Sequence, residues 1–386
     1  MTKTIHVGGR PLWAEVSLKA ILSNLQGIQR QIGPKRKVLA VVKSNAYGLG
    51  AVPIAKALER AGVGWFGVTC ANEGIELREA GIRKRILILT GFWPGEEKRL
   101  IKNALTAAVT RVEDVADLER AARAARREGR FRFHLKINTG MHRLGISPRE
   151  LDSFASELAG SKHIQLEGTF THLASAEDFE SEQSEEQERI FRDCLERLRA
   201  RGISPGIVHM ANSAAICGRP STWFDMVRPG AILYGYYQAF APAEMQQEIR
   251  RKMKLEPCLS LRARIISLRD VPAGQGVGYG ARFVTENPSR IAVINAGYAD
   301  GIVRQRTNHG CAIVKGRRVP LVGTISMDLT MLDVTGVPDV TVGDVVTIYG
   351  QDSDAQIAVS EVAREINTVT SELLCALGKR VPRYYV

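Results

Sequence analysis

The sequence has no long apolar run, no clustered cysteines and no low-complexity tract. Because about 20 consecutive apolar residues are needed to span a bilayer, we expect no membrane-spanning helix. The opening residues, MTKTIHVGGRPLW, lack the apolar centre of a secretory signal. The six cysteines share no CxxC spacing, which favours reduced core thiols in a cytoplasmic protein. We also expect no metal site.

Basic residues exceed acidic residues by 53 to 41, which gives a formal net charge of +12. Much of the excess lies in ERAARAARREGRFR, residues 119–132, where arginines recur at helical spacing at positions 120, 123, 127 and 130. Such a stripe usually forms the solvated face of a helix. An anion-binding or nucleic-acid-binding surface is the alternative. Since neither interleaved aromatic residues nor a nucleic-acid motif accompanies the stripe, we expect no nucleic-acid partner.

Short apolar runs alternate with helical patterns from about residue 38 to residue 245. Each run is apolar throughout, as expected of strands covered on both faces. The eight runs are VLAVV, GWFGVT, ILILTG, TAAVT, FHLKIN, LEGTFTH, GIVHMA and FDMVRPGAILYG. Eight β–α repeats in this length predict a (β/α)8 barrel. A doubly wound open sheet is the alternative.

The sequence pattern changes from alternating strands and helices to mostly strands after about residue 245. The β-rich segments there, separated by Gly, Pro and Asp, are LSLRARIISLRDV, SRIAVINAGY, RRVPLVGTISM and DVVTIYG. Only AVSEVAREIN and SELLCALG have helical patterns in this part. A second, mostly β C-terminal domain is therefore predicted. We expect the barrel over residues 12–245, and the β domain over 246–386 together with an N-terminal strand at residues 1–11.

Polar residues stand near the ends of several apolar runs, beginning with Lys43 in AVVKSNAYGLG. A lysine in such a place is commonly a surface residue. A desolvated lysine loses its proton more easily and can form a Schiff base with an aldehyde such as pyridoxal phosphate. In a barrel, the chemistry lies at the carboxyl ends of the strands. The other strand-end candidates are Lys136, His172, Asn212 with Ser213, and Arg228.

From Lys43 onward the motifs of this chain match a known family in order. They are AVVKSNAYGLG, HLKINTGMHRLG, GTFTHLASAED, HMANSAA, FDMVRPGAILYG, PAGQGVGYGA, NAGYADG, TISMDLTMLDV and LGKRVPR. With these motifs the chain resembles alanine racemase, a fold-type III enzyme that depends on pyridoxal 5'-phosphate. The resemblance covers nearly the whole chain and implies a barrel with a β-rich second domain.

The resemblance implies a cofactor site built from eight residues of this chain. Lys43 would hold pyridoxal phosphate covalently and act as one of two bases, while Arg228 would meet its pyridine nitrogen. Since arginine keeps its proton at ordinary pH, it offers that nitrogen a hydrogen bond without protonating it, which suits quick proton removal and return. His172 would stack near the ring. The remaining cofactor residues are Tyr47, Asn212, Ser213, Gly230 and Ala231.

The same resemblance implies the substrate side of the site. Tyr279, in GVGYGA, matches the second base. In the family this tyrosine comes from the partner subunit, which implies a homodimer with shared active sites. Arg143 and Met327 match residues that bind the substrate carboxylate. Lys136 matches a lysine that CO2 carbamylates, so that a cation becomes an anion clasped by Arg143.

Five positions depart from the family pattern. Leu49, Asn138, Ile302 and Ser326 replace a histidine, an aspartate, a tyrosine and a cysteine. Ser371 stands where most members have a tyrosine that narrows the substrate entrance and helps to hold the phosphate. A serine is much smaller, so we expect a wider pocket mouth. The hypothesis is a looser substrate choice, with serine or larger amino acids besides alanine.

The leading functional prediction is the racemisation of L-alanine and D-alanine by two bases, Lys43 and Tyr279, which would supply D-alanine for cell-wall peptidoglycan. A racemase with a broader or shifted substrate range is one alternative. An amino-acid decarboxylase on the same barrel is another, although decarboxylases lack the MVRPG, VGYG and SMD set. A carrier of pyridoxal phosphate without turnover is the non-catalytic alternative, and Tyr279 counts against it.

Overall fold

The computed structural model describes residues 9–126 and 129–386. Within them the strands, β1 to β19 in chain order, are Leu12–Val16, Lys37–Val41, Trp65–Val68, Arg85–Ile88, Thr106–Val109, Phe131–Lys136, Ile164–Phe170, Ile207–His209, Met226–Val227, Leu259–Val271, Gly276–Val277, Phe283–Val284, Ser289–Ile294, Cys311–Val314, Arg317–Val322, Thr330–Asp333, Val345–Asp352, Ala355–Ile357 and Arg383–Tyr385. The α-helices are Leu18–Ile32, Ala51–Arg60, Ala71–Glu79, Glu97–Lys102, Glu113–Ala124, Leu151–Ala159, Gln183–Ala200, Ser213–Gly218, Ala243–Lys252, Val359–Glu365 and Thr370–Cys375.

Eight parallel strands form one sheet in the order β8-β7-β6-β5-β4-β3-β2-β9. The two outer strands approach each other, because Asp225 N–H donates to the Val208 carbonyl and Arg228 N–H donates to the Ala211 carbonyl, both at 3.0 Å. The sheet is therefore a nearly closed barrel. All eight predicted runs are strands of this barrel, so the (β/α)8 prediction is confirmed and the open-sheet alternative is wrong.

The barrel strands are buried on both faces, which explains their apolar sequences. β3 and β5 are buried along their whole length. Helix Gln183–Ala200, by contrast, buries only one of its faces. This helix has acidic residues in its first turn and basic residues in its last, as the helix dipole favours. Its buried residues recur every three or four positions, as one face of a helix requires: Ser184, Gln187, Phe191, Cys194, Leu195 and Leu198.

The second sheet has nine strands in the order β18-β17-β14-β15-β16-β13-β10-β1-β19, with a further pairing between β17 and β10. β11 and β12 form a separate two-stranded sheet. The prediction of a mostly β C-terminal domain is confirmed, and the two predicted helical segments there are Val359–Glu365 and Thr370–Cys375.

The described chain divides into two compact units. One consists of residues 21–46 and 51–256, and the other of the residues up to Ala20 together with 47–50 and 257–386. The domain boundaries taken from the sequence remain a prediction. Strand Leu12–Val16 belongs to the β-rich sheet and lies antiparallel to β10, while residues 1–8 of the predicted N-terminal strand lie outside the described part. Helix Ala243–Lys252 belongs with the barrel unit.

Two of the four arginines in the predicted basic stripe lie on one described helix. Helix Glu113–Ala124 carries the exposed Arg120 and Arg123, and Arg120 donates to Asp117 at 3.0 Å. Arg130 lies beyond this helix, directly before β6, and Arg127 lies outside the described residues. Among the described residues, no helix combines the length and the apolar character that crossing a membrane would need.

Candidate active site

Cationic side chains gather at the carboxyl end of the barrel. Lys136 is the last residue of β6, and Arg228 directly follows β9. Their exposed fractions are only 6% and 4%. Burial, and after it the charges of Arg228, Arg143 and Lys43, lower the pKa of Lys136, so the structure brings four of the sequence-predicted residues near one another. A group of cations that includes buried side chains favours anionic ligands.

Arg228 organises the centre of this group through hydrogen bonds to neutral acceptors. Its Nη2 donates to the carbonyl oxygens of Thr171 at 2.7 Å and Met210 at 2.9 Å. The same nitrogen reaches Nδ1 of His172 at 3.1 Å, and Nη1 reaches Nδ1 of His209 at 3.0 Å. Burial lowers the pKa of Arg228 to about 9, which leaves the guanidinium charged at neutral pH.

These contacts fix the protons of the neighbouring imidazoles. A guanidinium only donates, so Nδ1 of both His172 and His209 must accept, and each ring carries its proton on Nε2. His209 Nε2 lies 2.8 Å from His134 Nδ1, which must then accept in turn. Both histidines are fully buried. His134 Nε2 has no hydrogen-bond partner, and Oε2 of Glu167 lies 3.9 Å away.

The three buried histidines at the barrel end, His134, His172 and His209, are neutral at neutral pH. Burial, followed by the charge of Arg228, lowers the pKa of His134 to about 3. Burial and then Arg228 also place the pKa of His172 and His209 well below the ordinary histidine value. The sequence analysis did not identify His134 and His209 as site residues. The one signal for them is that both are polar residues inside apolar strands.

Lys136 has the properties of an amine that can lose its proton. Its Nζ donates to the Leu89 carbonyl at 3.2 Å and lies 5.5 Å from the centre of the Phe170 ring. Burial comes first and the nearby cations second in lowering its pKa to about 8. Carbamylation needs a neutral amine, so this environment is compatible with the predicted modification, which stays a prediction.

Lys43 opens an unusual turn after β2. The next four residues, Ser44 to Tyr47, all have left-handed backbone angles, with φ of 53°, 54°, 51° and 57°. Each left-handed residue other than glycine costs roughly 1–2 kcal/mol. Hydrogen bonds support the turn, since Ala46 N–H donates to the Val42 carbonyl and Ala51 N–H donates to Oδ1 of Asn45, both at 2.8 Å. The strain is concentrated directly after the predicted cofactor lysine, as it often is at functional sites.

Four of the predicted cofactor residues lie at the ends of β8 and β9. The Ser213 hydroxyl accepts a hydrogen bond from the Gly230 N–H at 2.9 Å. Asn212 caps helix Ser213–Gly218, because its Oδ1 accepts from the Ala215 N–H at 3.0 Å. Ala231 opens a short 3-10 turn that follows Gly230. The structure thus brings Ser213 and Gly230 into direct contact, whereas Asn212 serves the helix end.

The remaining predicted residues belong to the β-rich unit. Tyr47 is held there, and burial followed by Cys375 raises its pKa to about 12. Tyr279 is 75% exposed and stands between two glycines with φ of 72°. Its carbonyl accepts from the Thr324 hydroxyl at 2.8 Å. Met327 is 52% exposed.

Ion pairs stabilise the loop that contains Met327. Asp300 is fully buried and accepts from Arg10 at 3.1 Å and from Arg380 at 2.7 Å. Arg380 also binds Asp328 at 2.7 Å and the Met327 carbonyl at 3.3 Å. Such a network holds the Met327 backbone in place, while the substrate contact of that backbone stays a prediction.

Both halves of the chain match known domains. Residues 16–238 match the family described as alanine racemase, N-terminal domain, and residues 258–385 match alanine racemase, C-terminal domain. The alanine racemase of Geobacter sulfurreducens is 41% identical over 381 residues, which cover 98% of this chain and 97% of that one.

Solved structures give the same result. The alanine racemase of Bacillus anthracis with bound L-Ala-P superposes with a TM-score of 0.90 at 33% identity, over 98% of this chain and 96% of that one. The alanine racemase of Bartonella henselae with covalently bound pyridoxal phosphate has a TM-score of 0.86 at 29% identity, over 98% of this chain and all of that one.

Proposed function

Because this chain belongs to the alanine racemase family and is an amino-acid racemase, we propose that it interconverts L-alanine and D-alanine with pyridoxal 5'-phosphate held by Lys43. The observation that carries this proposal is the buried, charged Arg228, which is surrounded by neutral acceptors and further cations. A decarboxylase or a non-catalytic carrier has no comparable support.

The donor set fits the cofactor. A buried guanidinium suits a ring nitrogen that needs a hydrogen bond without a proton. The neighbouring cations suit a phosphate dianion and a substrate carboxylate, and the paired Ser213 hydroxyl and Gly230 N–H stand where two strands end. When bound, pyridoxal phosphate makes the Cα–H of the attached amino acid acidic.

The chain's own residues would then handle the proton. Nζ of Lys43 removes or returns it on one face of Cα, and the Tyr279 hydroxyl does so on the other. Arg143 and the Met327 N–H hold the carboxylate, which keeps Cα between the two bases. Carbamylated Lys136 would balance the charge of Arg143.

Tyr279 would act in the active site of a second copy. Its 75% exposure and the 52% exposure of Met327 support this arrangement, since side chains that a partner covers are exposed in one chain alone. The proposal is therefore a homodimer with shared sites that supplies D-alanine for peptidoglycan.

Reduction with borohydride followed by peptide mapping tests the cofactor site. The modified peptide is expected to contain Lys43, and Lys43→Ala should lose the modification. Polarimetry of L-alanine tests the reaction, with Tyr279→Phe as the second inactive variant. A modified lysine elsewhere in the chain would refute the assignment.

A further inference from the structure

Glu73 joins the ends of two neighbouring barrel strands. It lies in the first turn of helix Ala71–Glu79, which follows β3. Its Oε2 accepts from the Thr69 N–H at 2.8 Å and from the Thr69 hydroxyl at 3.0 Å, so it holds the end of its own strand. Its Oε1 accepts from the Ser44 N–H at 2.5 Å, directly after Lys43 at the end of β2. One carboxylate thus ties the Lys43 turn to the adjacent strand end.

The hydrogen bond from Ser44 to Glu73 lies where the backbone is strained. Ser44 is the first of four consecutive left-handed residues, a backbone that needs outside support to persist. Two other hydrogen bonds of the turn have Val42 and Asn45 as acceptors, which are parts of the same segment. The bond to Glu73 instead comes from the helix behind the neighbouring strand. An ionised acceptor also makes a stronger hydrogen bond than a neutral one.

Asp114 provides an internal comparison. It lies in the first turn of helix Glu113–Ala124, four residues after Thr110, just as Glu73 lies four residues after Thr69. Oδ2 of Asp114 accepts from the Thr110 N–H at 2.9 Å, from the Thr110 hydroxyl at 3.3 Å and from the Arg111 N–H at 3.0 Å. These contacts stay within one strand end. The extra methylene of glutamate accounts for the additional reach of Glu73 to Ser44.

We propose that Glu73 is a positioning residue for Lys43: its carboxylate holds the Ser44 N–H and thereby fixes the direction in which the lysine side chain leaves β2. This role rests on the proposed covalent role of Lys43. In this role Glu73 would contact neither substrate nor cofactor. It acts through the backbone of the residue after the lysine.

The test variant is Glu73→Asp, which keeps the carboxylate and its hydrogen bonds to Thr69 but is too short to reach Ser44. In the holoenzyme, residue-level hydrogen–deuterium exchange by mass spectrometry should show the Ser44 amide exchanging at least tenfold faster. The kcat for alanine should fall about tenfold with KM within twofold, because the carboxylate-binding residues are untouched.

Asp114→Ala is the matched control. It removes the equivalent carboxylate from another strand end and is the harsher change, so it should lower the melting temperature while leaving Ser44 exchange and kcat unchanged. Thr69→Val, which removes one bond to Glu73 but keeps the bond to Ser44, should also retain kcat.

The results distinguish a failure of the proposed role of Glu73 from a failure of the proposed function. If Glu73→Asp keeps wild-type exchange at Ser44 or wild-type kcat, the role of Glu73 is wrong and the proposed function stands. An equal loss of kcat in Asp114→Ala would also overturn it, because barrel stability would then explain the effect. If borohydride marks a residue other than Lys43 in the unaltered enzyme, the proposed function fails first.

Discussion

Nη1 of Arg228 donates a hydrogen bond to Nδ1 of His209 at 3.0 Å, and both side chains are buried in the barrel. Because the guanidinium cannot accept, this one contact fixes the tautomer of His209 and then of His134. The ordered chain of N–H groups holds the Arg228 side chain in one orientation.

His209→Leu should destabilise the protein, because it leaves a buried guanidinium N–H without its acceptor. The expected loss is about 1–3 kcal/mol in the free energy of unfolding, measured by urea denaturation. His209→Gln, whose side-chain carbonyl can accept the same hydrogen bond, should recover part of the loss. Equal destabilisation by both variants would show that ring packing and not the hydrogen bond matters.

His134 should make the fold sensitive to acid. Its pKa is lowered to about 3 by burial and then by Arg228, while an unfolded histidine titrates near 6.5. The groups that face it are His209, Glu167 and Arg228. Below pH 6.5 the unfolded state binds the extra proton, so stability is lost as the pH falls from 6.5 towards 3. The contribution is about 2 kcal/mol between pH 7 and pH 5.

Urea denaturation at pH 7 and pH 5 measures this effect. His134→Gln should reduce the difference in unfolding free energy between the two pH values by that amount. His309→Gln, at an exposed histidine, serves as the control and should leave the difference unchanged. A wild-type pH dependence in His134→Gln would contradict the prediction.

Lys136 should react with CO2 more readily as the pH rises. With a pKa lowered to about 8, mainly by burial, about a tenth of the amine is neutral at pH 7. The neutral nitrogen attacks CO2, forms the N–C bond and releases one proton to solvent. In 13C-bicarbonate, the carbamate signal in the carbon NMR spectrum should grow from pH 6.5 to pH 8 and vanish in Lys136→Gln. A signal that survives this substitution would place the carbamate elsewhere.

Ser371 should broaden substrate choice. It lies in helix Thr370–Cys375 and is partly exposed. We expect measurable racemisation of serine and lysine besides alanine, and Ser371→Tyr should reduce the turnover of the larger substrates more than that of alanine. Polarimetry with the three amino acids measures this. Strict alanine preference in the unaltered enzyme would refute the hypothesis.

The sequence predicted the barrel well, because strands that are covered on both faces need apolar runs, and eight such runs were countable. It did not predict the strand Leu12–Val16, since its sequence differs little from the apolar strands of a barrel. Its partners in the β-rich sheet, β10 and β19, come more than 240 residues later.

The site was partly predictable for a similar reason. Lys43, Lys136, His172 and Arg228 stand at strand ends, and the barrel topology brings strand ends together. The roles of His134, His209 and Glu73 depend on hydrogen bonds between distant segments, and sequence spacing does not predict those bonds. No propensity predicts four consecutive left-handed residues after Lys43, because only the surrounding structure can stabilise them.

The shared active site is tested most directly by mixing two inactive variants. Lys43→Ala and Tyr279→Phe are each expected to abolish racemisation of alanine. After joint unfolding and refolding at equal concentrations, half of the dimers combine both chains, and each such dimer has one intact site. The mixture should therefore recover about a quarter of the wild-type activity. A mixture as inactive as its components would contradict a site in which Lys43 and Tyr279 come from different subunits.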